Sequence, residues 1–157
     1  MTQPARSRIL PDMMVKEVMR RATGVAESAT LPDVIDAIAT SGCEAVPVVE
    51  RSNGDVLVRQ LVSVRDLPSL RVVQASATRG HAVGGTVLDL LSALGRRPGR
   101  FPTIDPYAAL GDAWGLMSDA HLPHLPVVDD NQVVGMVSLV VTFSEFPHRS
   151  PTAGFWS

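Results

Sequence analysis

The sequence predicts a mixed α/β (α+β) fold in which two copies of one unit pack as a single module about an approximate two-fold axis. Two observations predict the duplication: AVPVVE at 45–50 returns as HLPVVD at 124–129, and LPDVIDAIATSG at 31–42 aligns without a gap on LGDAWGLMSDAH at 110–121. A third observation is the composition, which is 45% hydrophobic and 19% charged and therefore typical of a folded globular chain. One copy of about 55 residues buries too little apolar surface to be stable alone, so we expect the two copies to stack their sheets.

The central helix of each copy shows one apolar face. Its apolar residues recur at positions i, i+3, i+4 and i+7, which is the spacing of a single buried helix face. In the first copy, Thr30 and Asp33 have the spacing of a capping box, and Gly42 is a natural helix stop. We expect both faces in the core, and their residues are Leu31, Val34, Ile35 and Ile38, and Leu110, Ala113, Trp114 and Met117.

Each copy reads as helix, strand, helix, strand, strand, helix. The expected elements of the first copy lie near 13–20, 24–27, 31–41, 45–50, 56–63 and 66–76. Those of the second copy lie near 86–94, 101–104, 107–120, 124–129, 132–138 and 139–146. The chain then divides into an N-terminal tail (1–12), a first repeat (13–76), a Gly-rich linker (77–85), a second repeat (86–146) and a C-terminal tail (147–157).

Charge and composition exclude several classes of function. The formal net charge is −2 and aromatic residues make up 4% of the chain, so we expect neither a basic nucleic-acid surface nor a base-stacking platform. The longest apolar runs, such as 133–141, are too short to span a bilayer, and MTQPARSRIL lacks the apolar core of a secretory signal. Cys43 is the single cysteine, which excludes an internal disulfide and suits a reducing compartment. We therefore expect a cytoplasmic protein without a membrane span.

Two apolar runs end in serine at equivalent places, QLVSVRDL at 60–67 and GMVSLVVT at 135–142. Together with the repeated VPVV and LPVV, they resemble the tandem CBS-domain pair, also called a Bateman module, over about residues 13–146. The resemblance implies a regulatory module that binds an adenosine nucleotide or a related ligand in a cleft between the repeats and that often forms a homodimer. No cofactor is required, and the implied regulatory ligands are AMP, ADP, ATP or S-adenosylmethionine.

Each copy keeps only part of the family's ligand motif, which is Gly, two apolar residues, Ser or Thr, two further residues and Asp. The first copy has Ser63 and Asp66 but carries Gln60 where Gly is usual. The second copy keeps Gly and Ser but carries Val141 where Asp is usual. The resemblance therefore implies one main ligand site, at Ser63 and Asp66.

The chemistry of a nucleotide suits these residue types. The Asp66 carboxylate can accept hydrogen bonds from both hydroxyls of a ribose, and Ser63 can bond the sugar or a phosphate. A helix beginning just after the strand would direct free N–H groups at phosphate oxygens, and Arg65 could add a further contact. The resemblance places the base against Thr23, Gly24 and Val25 and against Ala45, Val46 and Pro47.

Asp66 also has a second interpretation, which the residues alone leave open. Pro68 suits the first turn of a helix, so the helix starts near Asp66 and that carboxylate would be a helix cap. The serines at 63 and 138 are equally suited to be turn residues at strand ends. The cap and the ribose role can coexist.

The remaining motifs favour ordinary structure over chemistry. No Cys or carboxylate pattern completes a site around His121 and His124, so we expect no metal. No Cys-His-Asp set can be assembled around Cys43, so we expect a structural thiol, no catalytic residues and no enzyme activity. The basic run GRRPGR at 95–100 is expected to be a solvated loop, with contact to a polyphosphate or an acidic partner as the alternative.

Two further functions remain open. A pair that has lost ligand binding would serve as a ligand-free dimerisation or docking module. The run at 115–139 also resembles the cytoplasmic tails of ClC-type chloride channels and transporters, which would make the chain a cytoplasmic regulatory tail. The expected partners are a second copy of the chain and a regulated enzyme, channel or transporter.

Overall fold

The computed structural model of the protein describes residues 13–78 and 85–139, and their contacts divide the chain into two compact units. Within the described residues, the larger unit comprises 21–78, 85–102 and 130–134, and the smaller unit comprises 13–20, 103–129 and 135–139. The units do not follow the order of the sequence copies, since each takes parts of both. Among the described helices, none combines the length and apolar character that crossing a membrane requires.

The described chain contains both strands and helices, which confirms the mixed α+β class. One-turn 3-10 helices lie at Val15–Glu17 and Val64–Asp66. The strands and α-helices are, in chain order, β1 (Arg20–Arg21), β2 (Val25–Ala26), α1 (Leu31–Ser41), β3 (Ala45–Ser52), β4 (Asp55–Ser63), α2 (Leu67–Thr78), α3 (Val87–Ala93), α4 (Leu110–Asp119), β5 (His124–Asp129) and β6 (Gln132–Ser138). The bounds of α1, β5 and β6 agree with those expected from the sequence.

The sheet of the larger unit has the strand order β2-β3-β4. β2 runs parallel to β3, and β3 pairs antiparallel with β4 from Ala45 opposite Ser63 to the hairpin turn. The turn consists of Asn53 and Gly54, with φ of 53° and 85°. Two consecutive residues with positive φ are what a two-residue hairpin favours, because their twist matches that of the strands. Ala45, the first residue of β3, and Ser63, the last residue of β4, therefore lie side by side at one end of the sheet.

The core of the larger unit is aliphatic and draws on both sequence copies. α3, which the sequence groups with the second copy, packs here beside α1, α2 and the sheet. The backbone N–H of Val87 donates to the carbonyl of Ala29 at 2.8 Å, which fixes where α3 begins. The buried cluster consists of Leu31, Val34, Val46, Val48, Val62, Leu70, Val87, Leu90 and Leu91.

The smaller unit is built around α4 and β5. The residues at the start of the first 3-10 helix lie along the start of α4. The Val15 backbone N–H donates to the Ala108 carbonyl at 2.9 Å, and the Leu110 backbone N–H donates to the Met13 carbonyl at 2.8 Å. The second sheet has the strand order β1-β6-β5. Buried apolar residues of this unit include Val15, Leu110, Ala113, Met117, Leu125, Val127, Met136 and Val137.

Some expected elements differ in the structure. The helix expected at 13–20 is reduced to one 3-10 turn, because the chain enters β1 at Arg20. The strand expected at 101–104 is limited to a single bridge from Ile104 to Val127. Trp114 keeps 37% exposure, because it lies at the edge of a face whose centre is filled by fully buried side chains. The helix expected at 139–146 lies outside the described residues from 140 onward.

The capping box and stop expected for α1 are both present. The Asp33 Oδ2 atom accepts from the Thr30 backbone N–H at 2.9 Å and from the Thr30 hydroxyl at 3.1 Å. These donors, the backbone N–H first, lower the pKa of Asp33 below its ordinary value. At the other end Gly42 has a φ of 73°, and its N–H donates to the Ile38 carbonyl at 2.9 Å.

We predict that Asp33→Asn lowers the melting temperature at neutral pH and that this difference shrinks in acid. Because the folded-state pKa of Asp33 is depressed, its contribution to stability is present above the unfolded value of 3.8 and is lost as pH falls through the lower folded value. Thermal melts of both proteins across the acid range measure this. Asp36→Asn, an exposed change in the same helix, is the matched control. An Asp33→Asn difference that stays constant with pH would contradict the prediction.

Candidate functional site

The candidate site lies where β4 ends and α2 begins. Ser63 is the last residue of β4, and the 3-10 turn that follows leads directly into α2. Asp66 Oδ2 accepts from the Ser63 backbone N–H at 2.8 Å and from the Ser63 hydroxyl at 3.3 Å. The carboxylate therefore closes this turn as the partner of Ser63 in a capping box. The helix start expected near Asp66 is confirmed at Leu67, whereas the N-cap of the turn is Ser63 and Asp66 is its third residue.

The other oxygen of Asp66 has a partner that comes from a distant part of the chain. Arg96 Nη1 lies 2.6 Å from Asp66 Oδ1, and the two side chains are 37% and 19% exposed. Arg96 Nη2 donates to the Leu61 carbonyl at 2.8 Å and to Gln60 Oε1 at 3.4 Å. The guanidinium thus joins the carboxylate to the last residues of β4.

The basic run at 95–100 is largely exposed, as expected of a solvated loop, and its backbone is also fastened to β4. The backbone N–H of Gly99 donates to the Arg59 carbonyl at 3.1 Å, and that of Phe101 donates to the Val58 carbonyl at 2.8 Å. The Gln60 amide donates to the Arg97 carbonyl at 3.4 Å. The loop follows the strand because these backbone groups of β4 are available to it.

The residues expected on β3 lie beside Ser63. Ala45 is the register partner of Ser63, and Val46 and Pro47 pair with the two preceding residues of β4. All three are buried. The Val64 N–H donates to the Glu44 carbonyl at 2.8 Å, which continues the pairing past the strand end.

The residues expected on the first strand lie on the other side of β3. Val25 pairs with Val48, and Gly24 approaches β3 so closely that a Cβ would lie 2.8 Å from Val49 Cγ1 and 3.2 Å from the Pro47 carbonyl oxygen. A side chain at Gly24 would therefore force β2 away from β3. Thr23 is exposed.

The structure places these expected site residues on one three-stranded sheet and at the strand end that follows it. Arg65 lies in the same 3-10 turn as Asp66 and is exposed. Arg96 could not be singled out from the sequence, since nothing in GRRPGR distinguishes the arginine that reaches Asp66 from its neighbours. The equivalent position of the second copy, Val141, lies outside the described residues, so the asymmetry between the copies stays a prediction.

The other candidate residues have structural surroundings. Cys43 is buried, and its N–H donates to the Ser41 hydroxyl at 3.1 Å. Over 13–78 and 85–139, no three residues of the types His, Cys, Asp and Glu are grouped so that they could hold a metal ion. His121 adopts a positive φ of 56° at the end of α4, where it belongs to the turn into β5.

Comparison with known proteins gives a family match and similar folds. The family model described as CBS domain matches residues 15–69 and 97–140. No curated protein matches the chain. Three solved structures cover most of it, with TM-scores of 0.58, 0.59 and 0.59.

The first of these structures is CBSX2 in complex with AMP, which is 20% identical and aligns over 87% of this chain and 98% of its own. The second is the CBS domain of a bacterial CNNM/CorC family Mg2+ transporter in complex with ATP, at 15% identity, 91% of this chain and 93% of its own. The third is the CBS domain of a membrane protein from Sphaerobacter thermophilus, at 21% identity, 89% of this chain and 91% of its own. At these identities the likeness concerns the fold.

We predict that Asp66→Ala lowers the free energy of unfolding by about 1–3 kcal/mol, because it removes the cap of the 3-10 turn and the partner of Arg96. Asp66→Asn should cost less, since an amide oxygen can still accept from the Ser63 N–H. Urea denaturation of both variants measures the difference. Asp55→Ala, an exposed carboxylate at the hairpin, is the control and should leave stability nearly unchanged. Equal stability of Asp66→Ala and the unaltered protein would contradict this prediction.

Proposed function

We propose that this chain, which belongs to the CBS-domain family and carries the domain in tandem, is a regulatory module that senses an adenosine nucleotide or a related ligand. The observation that carries the proposal is the convergence of three separate segments, 23–25, 45–47 and 63–66, on one sheet and its strand end. In this proposal the half-buried Gly24 and Val25, beside β3, lie against the base, and Asp66 supplies a carboxylate for the sugar. The proposed ligands are AMP, ADP, ATP or S-adenosylmethionine.

The described geometry supports this chemistry in detail. The Asp66 carboxylate is part-buried, which strengthens the hydrogen bonds that it accepts. Asp66 immediately precedes the first residue of α2. Ser63 offers a hydroxyl beside it, and Arg65 is exposed in the same turn, where its guanidinium can reach a phosphate. The solved complexes of CBSX2 with AMP and of the CNNM/CorC domain with ATP support the choice of nucleotide.

One observation favours a second candidate, a ligand-free docking or dimerisation module. Both oxygens of Asp66 already have partners within the chain, so the residue has a structural role that needs no ligand. In this alternative the module would serve a regulated enzyme, a channel or a transporter as a cytoplasmic partner or tail, as the likeness to ClC-type tails also suggests. Nucleotide binding distinguishes the two candidates.

We predict that the protein binds one of these nucleotides and that Asp66→Ala weakens binding about ten- to a hundredfold. Losing a hydrogen bond to a charged group costs about 1.5–3 kcal/mol, and each 1.4 kcal/mol is about tenfold in affinity. Calorimetric titration with AMP, ADP, ATP and S-adenosylmethionine measures the affinity and the stoichiometry. Val141→Ala is the matched control at the equivalent place of the second copy and should change the affinity little. Absence of heat with all four compounds would contradict the proposal and favour the ligand-free module.

We further predict that the protein forms a homodimer through α1 and α2 of the larger unit. Leu31, Ile35 and Arg71 line an open groove between these helices, and Val72 is 66% exposed. A contact with a second copy would remove the Val72 side chain from water, which favours association. Sedimentation should therefore give a dimer for the unaltered protein and a monomer for Val72→Arg. Leu94→Arg, which places the same charge on an exposed apolar residue of another helix end, should remain dimeric. A monomer at every concentration would contradict the prediction.

A further inference from the structure

We infer that Arg96 competes with the ribose of the ligand for the Asp66 carboxylate and so sets how strongly the site distinguishes a ribose from a deoxyribose. The inference rests on the proposed function, since it concerns the regulation of the same site. Its basis is the contact of 2.6 Å between Arg96 Nη1 and Asp66 Oδ1. This contact could not be predicted from the sequence.

The acceptor capacity of Asp66 is nearly used within the chain. A carboxylate offers about four acceptor positions. Asp66 Oδ2 receives the N–H and the hydroxyl of Ser63, and Oδ1 receives Arg96, so three of these positions are taken. A ribose diol that binds through both hydroxyls needs two positions. One of the existing donors must therefore leave before the diol can bind in that way.

Arg96 is the donor whose displacement opens Oδ1 to the ligand. The Ser63 hydroxyl, at 3.3 Å the longest of the three contacts, can rotate away, but it frees a position only on Oδ2. The Ser63 N–H belongs to the cap that starts the 3-10 turn before α2, so its loss would unravel that turn. Arg96, in contrast, is 37% exposed and can exchange its carboxylate partner for water. Ion pairs that are open to solvent contribute little to stability. The ribose therefore has to displace only a weakly held Arg96 guanidinium from the Asp66 carboxylate.

The surrounding chain holds Arg96 in the competing position. α3 ends in a Schellman motif, in which Gly95 has a φ of 86° and the Arg96 N–H donates to the Leu91 carbonyl at 2.9 Å. Leu91 is fully buried, so the turn that aims Arg96 is anchored in the core. On the other side Gln60, which replaces the family's Gly, accepts from Arg96 and donates to the Arg97 carbonyl.

Gln60, where the first copy departs from the family motif, and the basic run at 95–100 therefore act together. Gln60 donates to the Arg97 carbonyl and accepts from Arg96, and the Leu61 carbonyl also accepts from Arg96, so the guanidinium is held beside Asp66. A Gly at position 60 would offer no side chain to Arg96. The arrangement makes Arg96 a specificity-determining residue of the ligand site.

The test compares AMP with 2′-deoxy-AMP, which differ by one ribose hydroxyl. Any contact of Arg96 with the phosphate affects both nucleotides equally and cancels in the ratio of their dissociation constants. Calorimetric titrations of the unaltered protein, Arg96→Ala and Arg97→Ala give this ratio for each. Arg97 is the matched control, because it is an exposed neighbour of equal charge whose contact to Gln60 uses only the backbone. Arg96→Met, which keeps the apolar stem, replaces Arg96→Ala should the latter not fold in a thermal melt.

We expect the preference for AMP over 2′-deoxy-AMP to rise by roughly three- to tenfold in Arg96→Ala or Arg96→Met. The preference should stay unchanged in Arg97→Ala. It should disappear in the double variant Asp66→Asn/Arg96→Ala. An unchanged or reduced preference in the Arg96 variants would overturn the inference while AMP binding itself upheld the proposed function. Failure of every variant and of the unaltered protein to bind AMP would overturn both.

Discussion

The contact that organises the candidate site is the Asp66 carboxylate between Ser63 and Arg96. One oxygen closes the turn between β4 and α2, and the other reaches the residue that follows α3. A single side chain therefore connects the end of a strand, the beginning of one helix and the end of another. Because the group is part-buried, its hydrogen bonds are stronger than they would be in water, and its loss would leave the two Ser63 donors and Arg96 Nη1 without this acceptor.

The aliphatic core explains why Arg96 can reach this carboxylate at all. α3 buries Leu90 and Leu91 against α1, α2 and the sheet, so its last turn is held close to the end of β4. A glycine with positive φ then reverses the chain and directs Arg96 at Asp66. The site is thus built from a packed core and a helix stop, and its charged residues are positioned by apolar ones. The same core takes segments from both sequence copies, which is why neither copy carries the site alone.

The sequence predicts the regular elements well and the contacts between distant elements poorly. The bounds of α1, β5 and β6 follow from the spacing of apolar residues and from local caps such as Thr30 with Asp33, all of which act within a few residues. The positions of the expected site residues on one sheet follow from the hairpin register. Arg96 could not be predicted in this way, since its contact joins positions thirty residues apart in sequence (66 and 96) and depends on the direction in which α3 ends. The exposure of Trp114 could not be predicted either, because the spacing of apolar residues identifies a helix face but not which of its residues lie at the edge of that face.

We infer that the Asp66 carboxylate serves in turn the capping box, Arg96 and a ribose, and that the ribose displaces Arg96. A crystal structure of the protein with AMP tests this most directly. We expect a ribose hydroxyl at hydrogen-bond distance from Asp66, an Arg96 guanidinium withdrawn from Oδ1, and the Ser63 N–H still bonded to Oδ2. Bound AMP with the contact between Arg96 and Asp66 intact, or AMP bound away from Asp66, would contradict it.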